Sequence, residues 1–318
     1  MIFYKFLGSK KVICLLLIWG SLLLVEERRK LTAISLWRNC YWINIFVIPL
    51  GVLNKLNAIC RNYLWDGGAD FVRVPMVGWE KVCCPKSKGG LGIRDSFAWN
   101  IAAIGKLVWW VYYSPDRLWV KWVNQNGHWL LDVRGYTLRS GYGLIRHKFQ
   151  NMPWHKQIWN SWSLPTHQFI GWIIAREALM LNDKLFSLGI APDDDCLLCG
   201  KGGESHTHLF QTCEYSRRLL DEVSKVLRIT LPVSNPLQRI ADGQFSQVQK
   251  GVILSAISAT FYHIWLQRNK ARVDGVIQRP EILRDLIQKE IKTRIALHLS
   301  QGIANSDNVW LRSRSLIV

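Results

Sequence analysis

The chain has 318 residues, 49% of them hydrophobic, and carries 41 Lys and Arg against 23 Asp and Glu, a net charge of +18. That is enough chain for one large domain or two ordinary ones, each with its own core. Eight cysteines without an even ladder of spacings, and no Asn-x-Ser/Thr acceptor, argue against a secretory disulfide framework and for a reducing compartment.

The charge is uneven. Residues 1–150 hold 21 basic and 8 acidic side chains, and residues 151–318 hold 20 and 15. A basic surface of this size attracts polyanions, of which nucleic acid is the commonest. The plain alternative is a protein of high isoelectric point with no specific partner. Seventeen tryptophans suit helical packing or base stacking, and packing is the expected use for most of them.

Along the chain, Lys10 and Lys11 precede the apolar run 12–25, and Glu26 to Lys30 close it. This resembles a basic n-region with an apolar h-region, yet no small-x-small cleavage site follows. Fourteen apolar residues are also short of the about 20 that a membrane helix needs. A buried helix, a signal anchor and out-of-context sequence at a misplaced start all remain open. After the break at Pro49, apolar positions Val52, Leu56, Ile59, Tyr63 and Leu64 predict a helix ended by Asp66-Gly67-Gly68. Short extended runs punctuated by Pro75, Pro85 and glycines are expected over 71–95. A helix with Ser96 as N-cap then runs to Ser114-Pro115. Residues 116–150 read as loops with short elements. Helical segments follow over 154–188, interrupted at Ser163-Leu164-Pro165, then over 214–229, 248–273 and 281–299, with Pro232 and Pro236 marking a linker. The fold class predicted is mainly α with few short strands, a small zinc-stabilised helical module lying between helical segments.

Metal-ligand spacing is concentrated in CLLCGKGGESHTHLFQTC, residues 196–213. Cys196 and Cys199 have the C-x2-C spacing with which a tight turn aims two thiolates at one point, and His208 and Cys213 offer a second pair. His206 rivals His208. A regular helix would set His208 and Cys213 about 140° apart, so the helix should start or loosen between them if both bind. Buried thiols beside surface histidines, or a redox C-x-x-C, are the other readings; no βαβ pattern supports the redox one. Four protein ligands close the coordination sphere, so one structural Zn2+ is expected.

The glycine-rich PKSKGGLGIR could cradle phosphate through backbone amides beside Lys86, Lys88 and Arg94, or be a tight turn on a basic surface. Trp109-Trp110 and Tyr112-Tyr113 could stack bases, but their alanine-rich helical setting points to core packing. His155, His167 and His263 stand alone and receive no role.

The run from Trp154 to Ser216 resembles the zinc-binding domain at the C-terminal side of plant LINE-type (non-LTR) reverse transcriptases. The residues that carry the resemblance are Trp154, Ile158-Trp159, Pro165, Phe169, Trp172, Cys196, Cys199, Glu204, His208-Leu209-Phe210 and Cys213, with Arg139, Ser140 and Tyr142 upstream. Pro85-Lys86 with Gly89-Gly90-Leu91-Gly92, and the helix carrying Asn100 and Lys106, are similar to the segment after that family's polymerase palm. Tyr262 to Asn269 resembles a helix downstream of its zinc module. Residues 46–270 are covered.

The resemblance implies boundaries: an apolar N-terminal segment of doubtful status at 1–45, a post-palm region at 46–130, the zinc-binding domain at 135–228 and C-terminal helices at 245–300. It also implies what a polymerase would need. No aromatic-x-Asp-Asp turn occurs to hold catalytic metals, and Asp193-Asp194-Asp195 reads as a solvated turn. The expectation is a non-enzymatic, retroelement-derived protein that binds RNA or DNA and is nuclear or cytoplasmic. A zinc-scaffolded module for a protein partner is the alternative, as is membrane anchoring through 12–25.

Overall fold

The computed structural model describes residues 42–66, 75–113, 116, 136–146, 148–231, 236–299 and 304–317. The apolar run 12–25 lies outside the described residues. Secondary structure among the described residues is helical. The expected strands are absent from it, and only an isolated antiparallel bridge joins Asp195 and Gly203. The chain divides into two compact units, Met1–Gln150 and Asn151–Val318.

The first unit contains α1 (Leu50–Asp66), the single turn α2 (Trp79–Val82), α3 (Ser96–Tyr113) and α4 (Leu138–Ile145). Asp95 caps α3, since its Oδ1 accepts from the Ala98 amide at 2.8 Å. Ser96, the cap expected from sequence, is instead buried and donates to Asn57 Oδ1 on α1. Fully buried Asn100 donates to the carbonyls of Ile43 and Phe46 and accepts from the Ile48 amide. One amide side chain thus satisfies the irregular chain that leads into α1, where water cannot. Tyr136 fills the seam between α3 and α4: its hydroxyl donates to Ala102 O, and it occupies the space that a Cβ on Gly105 or Gly141 would need. Thr137 and Ser140 form a capping box for α4. Tyr142 accepts from the Asp95 amide at 2.9 Å and meets Trp99 edge-on.

The stretch 75–95 is not extended. Its amides turn back on local carbonyls: Lys88 and Gly90 donate to Pro85 O, Gly89 to Lys86 O, Leu91 to Val82 O and Gly92 to Cys84 O. Gly89 and Gly92 sit at φ +78° and +76°, and a Cβ on Gly90 would lie 2.0 Å from Cys84 O. Proline and left-handed glycines close the turn before a ladder can form.

The second unit runs α5 (His155–Ile158), α6 (Pro165–Ala175), α7 (Asn182–Ser187), α8 (Glu214–Leu227), α9 (Pro236–Asp242), α10 (Gln247–Asp274), α11 (Pro280–Leu299) and α12 (Asn305–Arg312). Its axis is α10, buried without interruption from Gly251 to Phe261 and packed by α6, α8, α9 and α11. A helix apolar on all sides belongs in the middle of a bundle. Gly251 lets the Trp162 ring lie against α10, where a Cβ would stand 2.3 Å from it. No helix among the described residues is long and apolar enough to cross a membrane.

Candidate metal centre

Cys196 and Cys199 sit on a tight turn. The Gly200 amide donates to Cys196 O, the Cys196 amide donates to Gly202 O, and Gly200 and Gly202 both take φ +65°. With the Asp195–Gly203 bridge beneath it, this turn holds both thiols on one side. The second pair comes from the far end of the loop. From His208 to Thr212 the backbone widens into a π turn, closed by the Cys213 amide on His208 O at 2.7 Å. Cys213 is then extended, and α8 begins at Glu214. The widened turn reduces the offset that a regular helix would impose between residues 208 and 213.

The ligand atoms of Cys196, Cys199, His208 and Cys213 all lie within 4.8 Å of one another. Cys196 Sγ is 3.8 Å from Cys213 Sγ, and Cys199 Sγ is 3.3 Å from His208 Nε2. Zinc bonds of about 2.3 Å to sulfur and about 2.0–2.1 Å to nitrogen give tetrahedral edges of about 3.4–3.8 Å. The donor set and its spacing therefore fit a zinc ion, which these four side chains could hold. The thiols are free, and 3.8 Å is far beyond a disulfide bond.

Electrostatics favour thiolate at this point. Cys213 is drawn below the ordinary thiol range, because it shares a hydrogen bond with Cys196 and the Ser216 and Tyr215 amides at the start of α8 face its sulfur. Cys196 correspondingly keeps the shared proton, its pKa pushed up by that hydrogen bond and by burial. Around the ligands, Thr212 Oγ1 lies 3.3 Å from His208 Nδ1, which orients the ring, and Ser205 Oγ accepts from the His208 amide.

His206 faces away. Its Nε2 is 3.4 Å from Leu179 O, and its ring lines a cleft of about 440 Å³ with Trp154, Phe210 and Phe261. Burial lowers its pKa.

Glu204 is completely buried behind the cysteine turn. Its Oε1 accepts from Arg268 Nε at 2.8 Å and from the Asn182 amide, and its Oε2 accepts from the Leu197 amide. Asn182 adds bonds to Asp195 O, Arg268 and Arg272. In the sequence Glu204 and Arg268 lie 64 residues apart, and no local spacing joins them. The signal was there in an acidic residue between metal-ligand pairs and a basic one deep in an apolar helix.

The basic residues singled out in the glycine turn lie in the first unit. Lys86 is exposed, while Lys88 and Arg94 are half-buried, and the Arg94 guanidinium covers the Trp99 ring at 3.9 Å. The amides of residues 88–92 are all spent on carbonyls, so the loop is a tight turn and not a backbone phosphate cradle. Trp109 and Trp110 are half-buried rather than core, with Trp109 stacked on Tyr113 and Lys106 over Trp110. Asp193, Asp194 and Asp195 are exposed in the turn before the cysteines.

Residues 136–219 match the family described as zinc-binding in reverse transcriptase. The match begins at the foot of α4 and ends inside α8. The chain is also 33% identical over 86 residues to the Arabidopsis thaliana protein named "Putative ribonuclease H protein At1g65750", a stretch that is 27% of this chain and 14% of that protein. The similarity thus spans a small part of that relative's length. No solved structure matches this chain.

Proposed function

We propose that this chain is a retroelement-derived, non-catalytic protein of the plant LINE type, in which one structural Zn2+ on Cys196, Cys199, His208 and Cys213 stiffens a module that binds RNA or DNA. The observation that carries the reading is the coincidence of the four-ligand cluster with the segment similar to the zinc-binding family of reverse transcriptases. The net charge of +18 supports a polyanionic partner, and the sequence supplies no aromatic-x-Asp-Asp turn for polymerase chemistry. Zinc with four protein ligands has no open position, so its role is to hold the loop. The reading places the protein in the nucleus or cytoplasm.

The test is anisotropy titration of labelled single-stranded RNA and duplex DNA with the zinc-loaded full chain over a salt series. Contact through phosphates predicts that log K falls with log salt, by about 0.7 per neutralised phosphate for single strands and about 0.9 for duplex. Absent binding at low salt, or an affinity indifferent to salt, would sink the nucleic-acid reading in favour of a protein partner.

A further inference from the structure

Three helices of the second unit bring a second set of metal-binding side chains together. His167 comes from α6, His263 from the buried length of α10 and Glu290 from α11. His263 Nε2 lies 3.2 Å from both carboxylate oxygens of Glu290, His167 Nε2 lies 3.7 Å from Oε2, and the ligand atoms of all three fall within 4.8 Å of one another. Both imidazoles are 3% exposed, and Glu290 is the more open member at 24%.

We infer that His167, His263 and Glu290 form a second metal site, taking a borderline divalent transition cation such as Zn2+ and leaving a fourth position to water on the Glu290 side.

Two nitrogens and a carboxylate suit such a cation, and bonds of about 2.0–2.2 Å give tetrahedral edges of about 3.3–3.6 Å, the spacing found between these donors. The same Nε2 atoms that face Glu290 in hydrogen bonds are the atoms that would face the ion, so the rings need not turn. Burial of the His167 ring lowers its pKa to about 4, against the pull of Glu290.

Two features set the affinity. Arg294, one turn beyond Glu290, commits its guanidinium to the carbonyls of Ser161 and Trp162, but its charge opposes a cation. The Nδ1 atoms of His167 and His263 are buried without a hydrogen-bond partner, so no outer acceptor orients the rings. The site is the weaker of the two and fills after the cysteine cluster.

The experiment is equilibrium dialysis of the full chain against buffered Zn2+ with metal counted by elemental mass spectrometry, for wild type, Glu290→Gln, His167→Phe and Cys199→Ser. Expected are two ions per chain in wild type and one in Glu290→Gln and His167→Phe, with the ion lost from Cys199→Ser being the tighter one. Glu290→Gln keeps the shape and one acceptor oxygen, and His167→Phe fills the same space without a ligand, so either one folding suffices. A wild type that binds no ion attributable to this trio, or a second equivalent that survives both Glu290→Gln and His167→Phe, would overturn the inference. Retention of all zinc in Cys199→Ser would count against the structural zinc alone.

Discussion

The Glu204 carboxylate and the Arg268 guanidinium meet at 2.7 Å, their side chains 0% and 3% exposed, and so tie the cysteine turn to the central helix α10. Breaking such a pair from one side leaves a bare charge in the interior, which costs about 3–5 kcal/mol. Glu204→Ala should lower the unfolding free energy by that order. Lys201→Ala, which removes an exposed contact to Glu214, should leave the midpoint where it is. Urea unfolding of the full chain compares the two. Equal midpoints would show that the buried pair does not hold the turn.

The metal cluster makes a sharper prediction about which side chains matter. Cys199→Ser and His208→Ala should lose zinc, while His206→Ala keeps it, because His206 addresses Leu179 O and not the sulfurs. Thr212→Val, which removes the oxygen beside His208 Nδ1, should weaken zinc by roughly tenfold. Protons compete with the metal for thiolate and imidazole, so retention should fall as the pH falls. Chelator competition at two pH values reads both effects. Zinc lost from His206→Ala and kept in His208→Ala would reverse the assignment.

Long elements and the ligand loop were legible because local signals and burial agreed. Pro49, the glycines after Asp66 and the apolar spacing between them predicted α1 within a residue or two, and the apolar run of α10 was equally plain. The need for a loosened helix between His208 and Cys213 followed from angular spacing alone, and a π turn supplies it. Other features are set by contacts distant in sequence. His167 and His263 read as solitary because α6, α10 and α11 converge only in the bundle. The segment around Val82 looked extended because β-favouring residues outvoted the turn chemistry of Pro85 and Gly89.

Two glycines separate conformational need from accident. At Gly90 a Cβ would sit 2.0 Å from the backbone oxygen of Cys84, so Gly90→Ala must move main chain and should cost at least about 2 kcal/mol. Gly143 lies inside α4 with nothing near its missing Cβ, and Gly143→Ala should stabilise by about 0.5–1 kcal/mol through the unfolded chain. Thermal melts of the two variants should move in opposite directions.

Thiol chemistry in the first unit follows burial. Desolvation pushes Cys60 from its ordinary value of 9.0 up to about 12, and burial, with the Asp95 carboxylate and the Cys84 and Cys60 thiols nearby, raises Cys83. Iodoacetamide attacks thiolate, so both should resist alkylation at pH 8 in the folded chain and react after unfolding. The sign for stability is the same: the raised value favours folding fully below pH 9, and this contribution fades as the pH climbs from 9 toward 12. Peptide mapping of alkylated sites at pH 8 and 10 checks this, and rapid native labelling of Cys60 at pH 8 would refute it.

On the nucleic-acid reading proposed above, phosphate contact at the glycine turn must come from side chains. The amides of residues 88–92 already serve Pro85, Lys86, Val82 and Cys84, so no oriented backbone dipoles remain in that run for an anion. Lys86 and Lys88 carry ammonium charges at the turn, and Arg94 is tied over Trp99. On that reading Lys86→Ala and Lys88→Ala should each lower affinity evenly across RNA sequences and reduce the single-strand salt slope by about 0.7, one phosphate contact each. Arg94→Ala should change stability more than slope, because its loss uncovers an indole ring. Slopes measured for the three variants would decide between them: a slope that falls only in Arg94→Ala would move the contact off the turn and onto the face of α3.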